Sequence, residues 1–379
     1  MHVGFALLTL FPGRVGGSES NVRGLLGEFR AGNGPERVTV LANRHVAAEY
    51  EAGGPVGMHV VRSYRPGEGT ATRALAMAGA LAAPRIAARD VPPGLDVVHY
   101  PVTVPIPQTR APTVVTLLDV QHHDLPGFFS RGEAAFRRRA YDRAARHADV
   151  VVTISEFSKA RIVDALGIDA ERVETVPLGL DHSRFTPDGE KHTQDLPERF
   201  LLYPANLWPH KNHELLVDAL ALTGEVELVL SGQDYGRLTP LLARAQSLGV
   251  ARRIRHIGHL PHEALPALYR SATGLIFPSL YEGFGMPPLE AMACGCPAAV
   301  ADAAALPEVT AGAAITFDPR SPRAVAGAME RLWDDAELRT SLRDRGLERA
   351  RTFSWRTAAE RHRSIYERAA ATSRSAARS

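Results

Sequence analysis

Two cysteines, Cys294 and Cys296, are all that a chain of 379 residues holds. One residue apart and beside a glycine, they make a poor disulfide and half of a zinc site. With no second pair, they are expected as small buried side chains in a packed turn, in a protein of the reducing cytosol. Long apolar runs are missing as well. Phe5 to Phe11 is far too short to cross a bilayer, has no basic leader and meets glycine and arginine at once. It is expected as a first core strand rather than a signal peptide. Charge of one sign is also missing. A formal net charge of +2 argues against a nucleic-acid binder held by phosphate contacts. The fingerprint G-x-G-x-x-G is absent, which removes a dinucleotide-dependent dehydrogenase.

What is present is ordinary in bulk and uneven in detail. Hydrophobic residues make up 45% and charged residues 23%, as in a globular protein. The length is too great for one ordinary core, so two domains are expected. Arg131, Arg137, Arg138, Arg139, Arg143 and Arg146 gather in one segment, and the C-terminal stretch is again rich in arginine.

The chain is organised around Tyr281 to Pro297, YEGFGMPPLEAMACGCP. An apolar strand, Thr273 to Pro278, leads into it. Glu282 opens the turn Gly283-Phe284-Gly285, and Pro287 and Pro288 stand where a helix can begin. Glu290 then falls one turn into that helix. Two carboxylates thus flank backbone amides that a glycine turn leaves open to an anion. Such a site suits a phosphorylated, polyhydroxylated ligand, and reads as half of a sugar-nucleotide site.

In the first half, Val3 to Leu10 reads as a buried strand. It ends in a glycine loop that holds Arg14, Gly16 and Gly17, and Ser18 would cap a helix running to about Arg30. That loop is either an anion cradle or a structural tight turn. Further strands are expected at Arg37 to Leu41, His59 to Val61, Val97 to Tyr100, Thr113 to Leu118, Asp149 to Ile154 and Val173 to Pro177. A helix is expected over Thr72 to Ala88, and Ser155 would cap Glu156 to Leu166. This alternation indicates α/β architecture with a doubly wound sheet, whose ligands bind beyond the carboxyl ends of the strands. Asp119, Gln121, His122, His123 and Asp124 lie at such an end. Adjacent histidines on a loop rarely converge on one ion, so His122, His123 and Asp124 are not expected to hold a metal. The helix Gly132 to His147 is either a solvated face or a contact for an anionic membrane surface or a phosphorylated acceptor, through Arg137, Arg138 and Arg139.

Thr186 to Pro197 is polar, turn-rich and without periodicity, and reads as a linker. The expected division is 1–185, linker 186–197, 198–355, and a terminal helix and disordered tail over 356–379. The alternation restarts with a strand over Phe200 to Ala205. Its exit loop, Asn206 to His213, carries Lys211 to the start of a helix over Glu214 to Leu222, where ammonium and free amides would share one phosphate. Trp208 there is a core ring or a wall of the site. Strands follow at Val226 to Leu230, before Ser231-Gly232, and at Ile254 to Ile257, before Gly258. A helix is expected over Glu263 to Ser271, a strand over Pro297 to Ala301 and a turn over Leu306 to Val309. Beyond these, a strand over Ala313 to Phe317 and amphipathic helices over Pro322 to Arg351 are expected, then a final helix capped by Ser354 and disorder after about Ala370.

Two Rossmann-like halves, a glycine loop after the first strand, HKN at His210 to Asn212, E-x7-E from Glu282 to Glu290 and ALPEV at Ala305 to Val309 occur in this order. Over residues 2 to 365 the chain resembles the retaining GT-B glycosyltransferases of family GT4, the group of glycogen synthases and many bacterial mannosyl- and glucosyltransferases. The resemblance implies two Rossmann-like domains facing across a cleft, with the C-terminal helix crossing back to the first. It implies that Glu290 accepts hydrogen bonds from the ribose hydroxyls, while Glu282, Gly283, Phe284 and Gly285 line the donor sugar and the distal phosphate. Lys211 would neutralise the diphosphate, and Gly16 and Gly17 would close over it. Gly258 would flank the base, with Gly232 beside the donor, and Asp119 and His122 would serve the reaction. Members work without a divalent cation, which suits a chain with a cationic anchor and no Asp-x-Asp triplet.

Two positions depart from the pattern. Asn206 stands where many members carry arginine, so Arg14 or another arginine would have to compensate. Leu118 stands where many carry histidine, so His122 or the backbone alone would serve. The E-x7-E pair differs from the close carboxylate pair of a retaining glycosidase, and a same-face displacement with retention is expected. A sugar-nucleotide 2-epimerase would show its own acid and base residues instead of EGFG, and an inactive nucleotide-sugar-binding module would bind without turnover. The Trp-Pro-His-Lys-Asn-His loop resembles that of polysaccharide mannosyltransferases, so GDP-mannose is the first expected donor and a UDP-hexose the second. The acceptor is a lipid-linked glycan, a polysaccharide precursor or a small aglycon.

Overall fold

The computed structural model describes residues 1–11, 17–50, 52–67, 69–192 and 196–376. The expected loop residues Arg14 and Gly16 lie outside the described residues, as do part of the expected linker and the last three residues. The chain divides into two compact units, Met1–Gly179 with Trp355–Ser379, and Leu180–Ser354.

The first unit is built on β1 (His2–Ala6), β2 (Arg37–Ala42), β3 (Val56–Val60), β4 (Val97–Tyr100), β5 (Thr113–Thr116), β6 (Val150–Thr153) and β7 (Val173–Thr175). They form one sheet in the order β3-β2-β1-β4-β5-β6-β7, and every pairing is parallel. Valine-rich segments such as VVHY, TVVT and VVVT suit such strands, because helices cover both faces and leave no polar side. The chain reverses its winding between β1 and β4, and a crevice opens at such a point.

The second unit repeats the plan with β8 (Leu201–Pro204), β9 (Leu228–Ser231), β10 (Ile254–His256), β11 (Gly274–Phe277), β12 (Ala298–Ala301) and β13 (Ile315–Phe317). Their order is β10-β9-β8-β11-β12-β13, again all parallel, with the reversal between β8 and β11. Two Rossmann-like parallel sheets are the GT-B plan that the sequence led one to expect.

The C-terminal helix Trp355–Ala376 belongs to the first unit. Its Tyr366 hydroxyl meets Nδ1 of the buried His99 on β4 at 2.7 Å, and His99 Nε2 meets the Thr116 hydroxyl on β5 at 2.7 Å. Arg363 Nε donates to Glu36 Oε1 at 2.7 Å, both side chains nearly closed off from solvent. Ala369 and Ala370 are buried, and the helix extends to Ala376.

Other expectations are corrected locally. The helix Gly17–Arg30 begins one residue before Ser18, which therefore lies inside it rather than capping it. Pro84 divides the expected Thr72 to Ala88 helix into Thr70–Ala82 and Pro84–Ala87, because proline cannot donate within a helix. The expected turn at Leu306 is a short helix, Leu306–Thr310. The Arg-rich helix is interrupted by a π turn over Arg138–Asp142, between Arg131–Arg137 and Arg143–His147. Among the described residues no helix is long and apolar enough to cross a membrane.

Candidate active site

The carboxyl ends of β8 and β11 stand side by side at the reversal of the second sheet. From β8 the chain passes through Asn206 and Trp208 into a tight turn, Pro209–Lys211, and then the helix His213–Leu220. Lys211 thus precedes the helix by two residues instead of opening it. Asn212 adopts a left-handed conformation with φ of 63° and donates through Nδ2 to the Pro278 and Pro319 carbonyls at 3.2 and 2.7 Å. Tyr203, buried in β8, donates its hydroxyl proton to the Lys211 carbonyl at 2.6 Å. The β11 side is tied on by Leu280 N–H, which donates to the His210 carbonyl at 2.8 Å.

These ties aim one cation. Lys211 Nζ lies 2.5 Å from Glu282 Oε1 and 5.5 Å from the centre of the Phe277 ring. Burial, with the charge of Lys211, lowers His210 to about 4 and His213 to about 3, so both rings are neutral at pH 7. The ammonium is therefore the charge that faces an incoming anion from this loop.

Glu290 lies on the helix Met286–Ala293 and is buried. Its Oε2 accepts from the Tyr269 hydroxyl at 2.8 Å, and Oε1 lies 3.3 Å from His262 Nε2. Burial and the Glu290 carboxylate push the Tyr269 hydroxyl well above its ordinary pKa, which keeps it a donor. The turn before this helix needs its glycine. Gly285 has φ of 110°, and a Cβ there would lie 2.6 Å from Leu306 Cδ2.

A pocket of about 400 Å³ brings Asn206, Lys211, Gly232 and Glu290 together, with Trp208 and His259 in its wall. Glu282 joins it through Lys211. Asn206 Oδ1 accepts Gln233 N–H at 2.8 Å, which leaves its amide donors for a ligand. Trp208 is 42% exposed and stacks on Tyr235 at 4.3 Å, so it is a wall and not a core ring. Phe284 differs from its expected role: its ring is buried edge-on against Phe353 at 5.6 Å, so only its backbone can meet a ligand. Gly258 precedes His259 with φ of 74° and open space around it.

In the first unit the residues after β5 behave otherwise. His122 is wholly buried, with Nε2 2.9 Å from Asp142 Oδ1, while His123 Nε2 lies 2.8 Å from Oδ2 of the same carboxylate. In this geometry His122 fastens a loop and does not present itself to a substrate, which corrects the catalytic role expected of it. Asp119 Oδ1 accepts Gln121 N–H at 3.1 Å. Asp124 pairs with Arg161, and it is Asp142, not Asp124, whose carboxylate groups with the two histidine rings. Asp142 was missed because it is brought there by the π turn, which leaves no pattern in the sequence. Cys294 and Cys296 are buried free thiols.

Two doubly wound parallel sheets, with an ammonium and a carboxylate joined at the switch point of the second, follow the plan of a GT-B protein. Residues 185–349 match the family described as Glycosyl transferases group 1, and residues 15–184 match Glycosyltransferase Family 4. The chain belongs to these glycosyltransferases. O-antigen chain mannosyltransferase B of Escherichia coli is 28% identical over 275 residues, 69% of this chain and 71% of that protein. A D-inositol 3-phosphate glycosyltransferase of Corynebacterium glutamicum (strain R) is 29% identical over 258 residues, 63% of this chain and 62% of its own length. The chain thus spans less than two thirds of that second relative. Sucrose-phosphate synthase (tll1590) from Thermosynechococcus elongatus shares the fold with a TM-score of 0.76 at 20% identity, over 98% of this chain and 100% of that one. Anabaena Alr3699/HepE, solved in complex with UDP and glucose, does so with a TM-score of 0.70 at 18% identity, over 96% and 99%.

Proposed function

We propose that the protein transfers a hexose from a nucleotide-sugar to an acceptor hydroxyl with retention of configuration and without a divalent cation. GDP-mannose is the proposed donor. The observation that carries the reading is the pocket holding Lys211 and Glu290 together, with Glu282 bonded to the ammonium. An ammonium has three protons to donate, so Lys211 keeps two for a diphosphate while Glu282 holds it. Its charge stabilises the negative charge that grows on the leaving diphosphate as the glycosidic bond breaks. The buried Glu290 carboxylate, steadied by Tyr269, accepts from the ribose hydroxyls. Backbone amides of Gly283 to Gly285 meet phosphate oxygens, and Asn206 donates to the diphosphate. The acceptor hydroxyl attacks from the face the diphosphate leaves, and the leaving group takes its proton.

The mannosyltransferase among the relatives supports mannose. A UDP-hexose is the second reading, favoured by the UDP and glucose in the related fold. The acceptor is proposed as a glycan or lipid-linked glycan at the cytoplasmic face of a membrane, with Arg137, Arg138 and Arg139 toward it. A thermal-shift screen of GDP, UDP, dTDP and ADP tests the donor. Stabilisation by GDP is expected, and stabilisation by UDP alone would overturn mannose. Release of nucleoside diphosphate from the matching labelled donor then separates a transferase from an inactive binding module.

A further inference from the structure

The Arg-rich segment borders a second cavity, lined wholly by residues of the first unit and separate from the donor pocket. Its volume is about 480 Å³, within the range of roughly 300–1,000 Å³ that small-molecule sites occupy. The inner side of the segment offers Ala140, Ala144 and Ala148, all buried, over Tyr100 and Val115 of the sheet. Three methyl groups where larger side chains would fill the layer leave the hollow, and its floor is apolar. Leu81, from the helix Thr70–Ala82, also lines it.

The rim has one sign of charge. Arg139, Arg143 and His147 recur at every fourth position and all line the cavity. Among the described residues neither guanidinium has an ion-pair or side-chain hydrogen-bond partner. Of the acids nearest in sequence, Asp142 is engaged by His122 and His123 at 2.9 and 2.8 Å, and Asp149 by Thr113, whose N–H and hydroxyl donate to it at 2.7 and 2.9 Å. His147 Nδ1 lies 2.8 Å from the Arg143 carbonyl oxygen, which leaves Nε2 for a ligand.

An apolar floor below a cationic rim fits an amphipathic anion. Two guanidiniums match a phosphate group, of about −1.5 to −2 charge at pH 7, better than the single charge of a carboxylate, and the imidazole adds a hydrogen-bond partner. Guanidinium also meets phosphate oxygens in pairs. We infer that this cavity binds the phosphate-headed end of a single-chain lipid, with the chain over Ala140, Ala144 and Ala148 and the phosphate on Arg139, Arg143 and His147. The inference stands apart from the donor pocket, and nucleotide binding reports on the one without the other.

The test is calorimetric titration of the full chain with decyl phosphate, below its micellar concentration. Saturable binding of one molecule is expected, with decanol and inorganic phosphate each at least about tenfold weaker. Affinity should climb from butyl to decyl phosphate and level off once the cavity is full. The double variant R139A/R143A, at two exposed positions, should lose about tenfold or more for decyl phosphate while keeping its melting temperature and its nucleotide-induced shift. Equal binding by that variant overturns the inference, as does equal affinity for inorganic phosphate. If phosphatidylglycerol vesicles bind the protein and decyl phosphate does not compete, the arginines form a membrane-surface patch and the cavity is no lipid site.

Discussion

Lys211 Nζ and Glu282 Oε1 stand 2.5 Å apart although 71 positions separate them, with side chains 16% and 13% exposed. Mostly enclosed, the pair is screened less than a surface ion pair, so the carboxylate fixes where the ammonium points. Removing that restraint should act on the reaction more than on binding. Glu282→Ala is expected to lower turnover by roughly 10²-fold while nucleotide affinity changes only a few-fold. Steady-state kinetics beside nucleotide titration check this, and an equal loss in both quantities would contradict the division of roles.

Glu290 should behave in the opposite way. Its carboxylate is buried and already oriented by the Tyr269 hydroxyl at 2.8 Å, so it is ready to accept from a ribose. A hydrogen bond to a charged group contributes about 1.5–3 kcal/mol, so Glu290→Ala should raise the nucleotide dissociation constant by roughly ten- to a hundredfold. Tyr269→Phe should weaken binding less, since it removes the orienting donor and leaves the acceptor. Tyr269→Phe binding more weakly than Glu290→Ala would place the role on the hydroxyl instead.

Both sheets were legible in the sequence because parallel strands buried on two faces write themselves as short β-branched runs, as at Val97–Tyr100 and Thr113–Thr116. Lys211 and Glu282 follow β8 and β11, which are neighbours in the sheet although two strands lie between them in the chain, as a doubly wound order requires. What stayed hidden is side-chain direction. Nothing in HHD says that His122 turns inward to Asp142 while Asp124 turns to Arg161. Nothing in Trp208 says that its ring stays outside, against Tyr235. The hollow under Ala140 and Ala144 also leaves no pattern, because a small residue reads the same whether its space is filled by a neighbour or left open.

Two glycines near the donor pocket should respond differently to one methyl group. Gly232, with φ of 148°, would place a Cβ 2.5 Å from the Ala205 carbonyl oxygen, and its N–H donates to the Gly258 carbonyl at 2.9 Å. Backbone cannot step aside as a flexible side chain does. Gly232→Ala should therefore cost about 3 kcal/mol or more, strain and clash together. Gly258, with φ of 74°, has open space around it, so Gly258→Ala should cost only the left-handed penalty of about 1–2 kcal/mol. Thermal melts of the two variants check the order, and a Gly258 variant less stable than the Gly232 one would contradict it.

Two buried histidines, His362 on the C-terminal helix and His99 beneath it, set a pH limit on the first unit. Burial lowers His362 to about 4, and burial with the neighbouring His362 lowers His99 well below its ordinary value. Both rings are thus neutral in the folded protein. Once unfolded, each takes up a proton near pH 6.5, so below that value the unfolded state binds more protons and stability falls as pH falls. Above about pH 7 the two rings make no difference between the states. Each pH unit of the window costs up to about 1.4 kcal/mol per ring, and the loss from His362 ends near pH 4, where the folded ring also protonates. Denaturant midpoints measured from pH 7.5 to 4.5 should therefore decline, with most of the fall below pH 6.5. The variant His362→Phe, which keeps a ring beside His99 and Tyr366, should show a shallower decline. A wild-type slope left unchanged by that substitution would show that other groups carry the acid sensitivity.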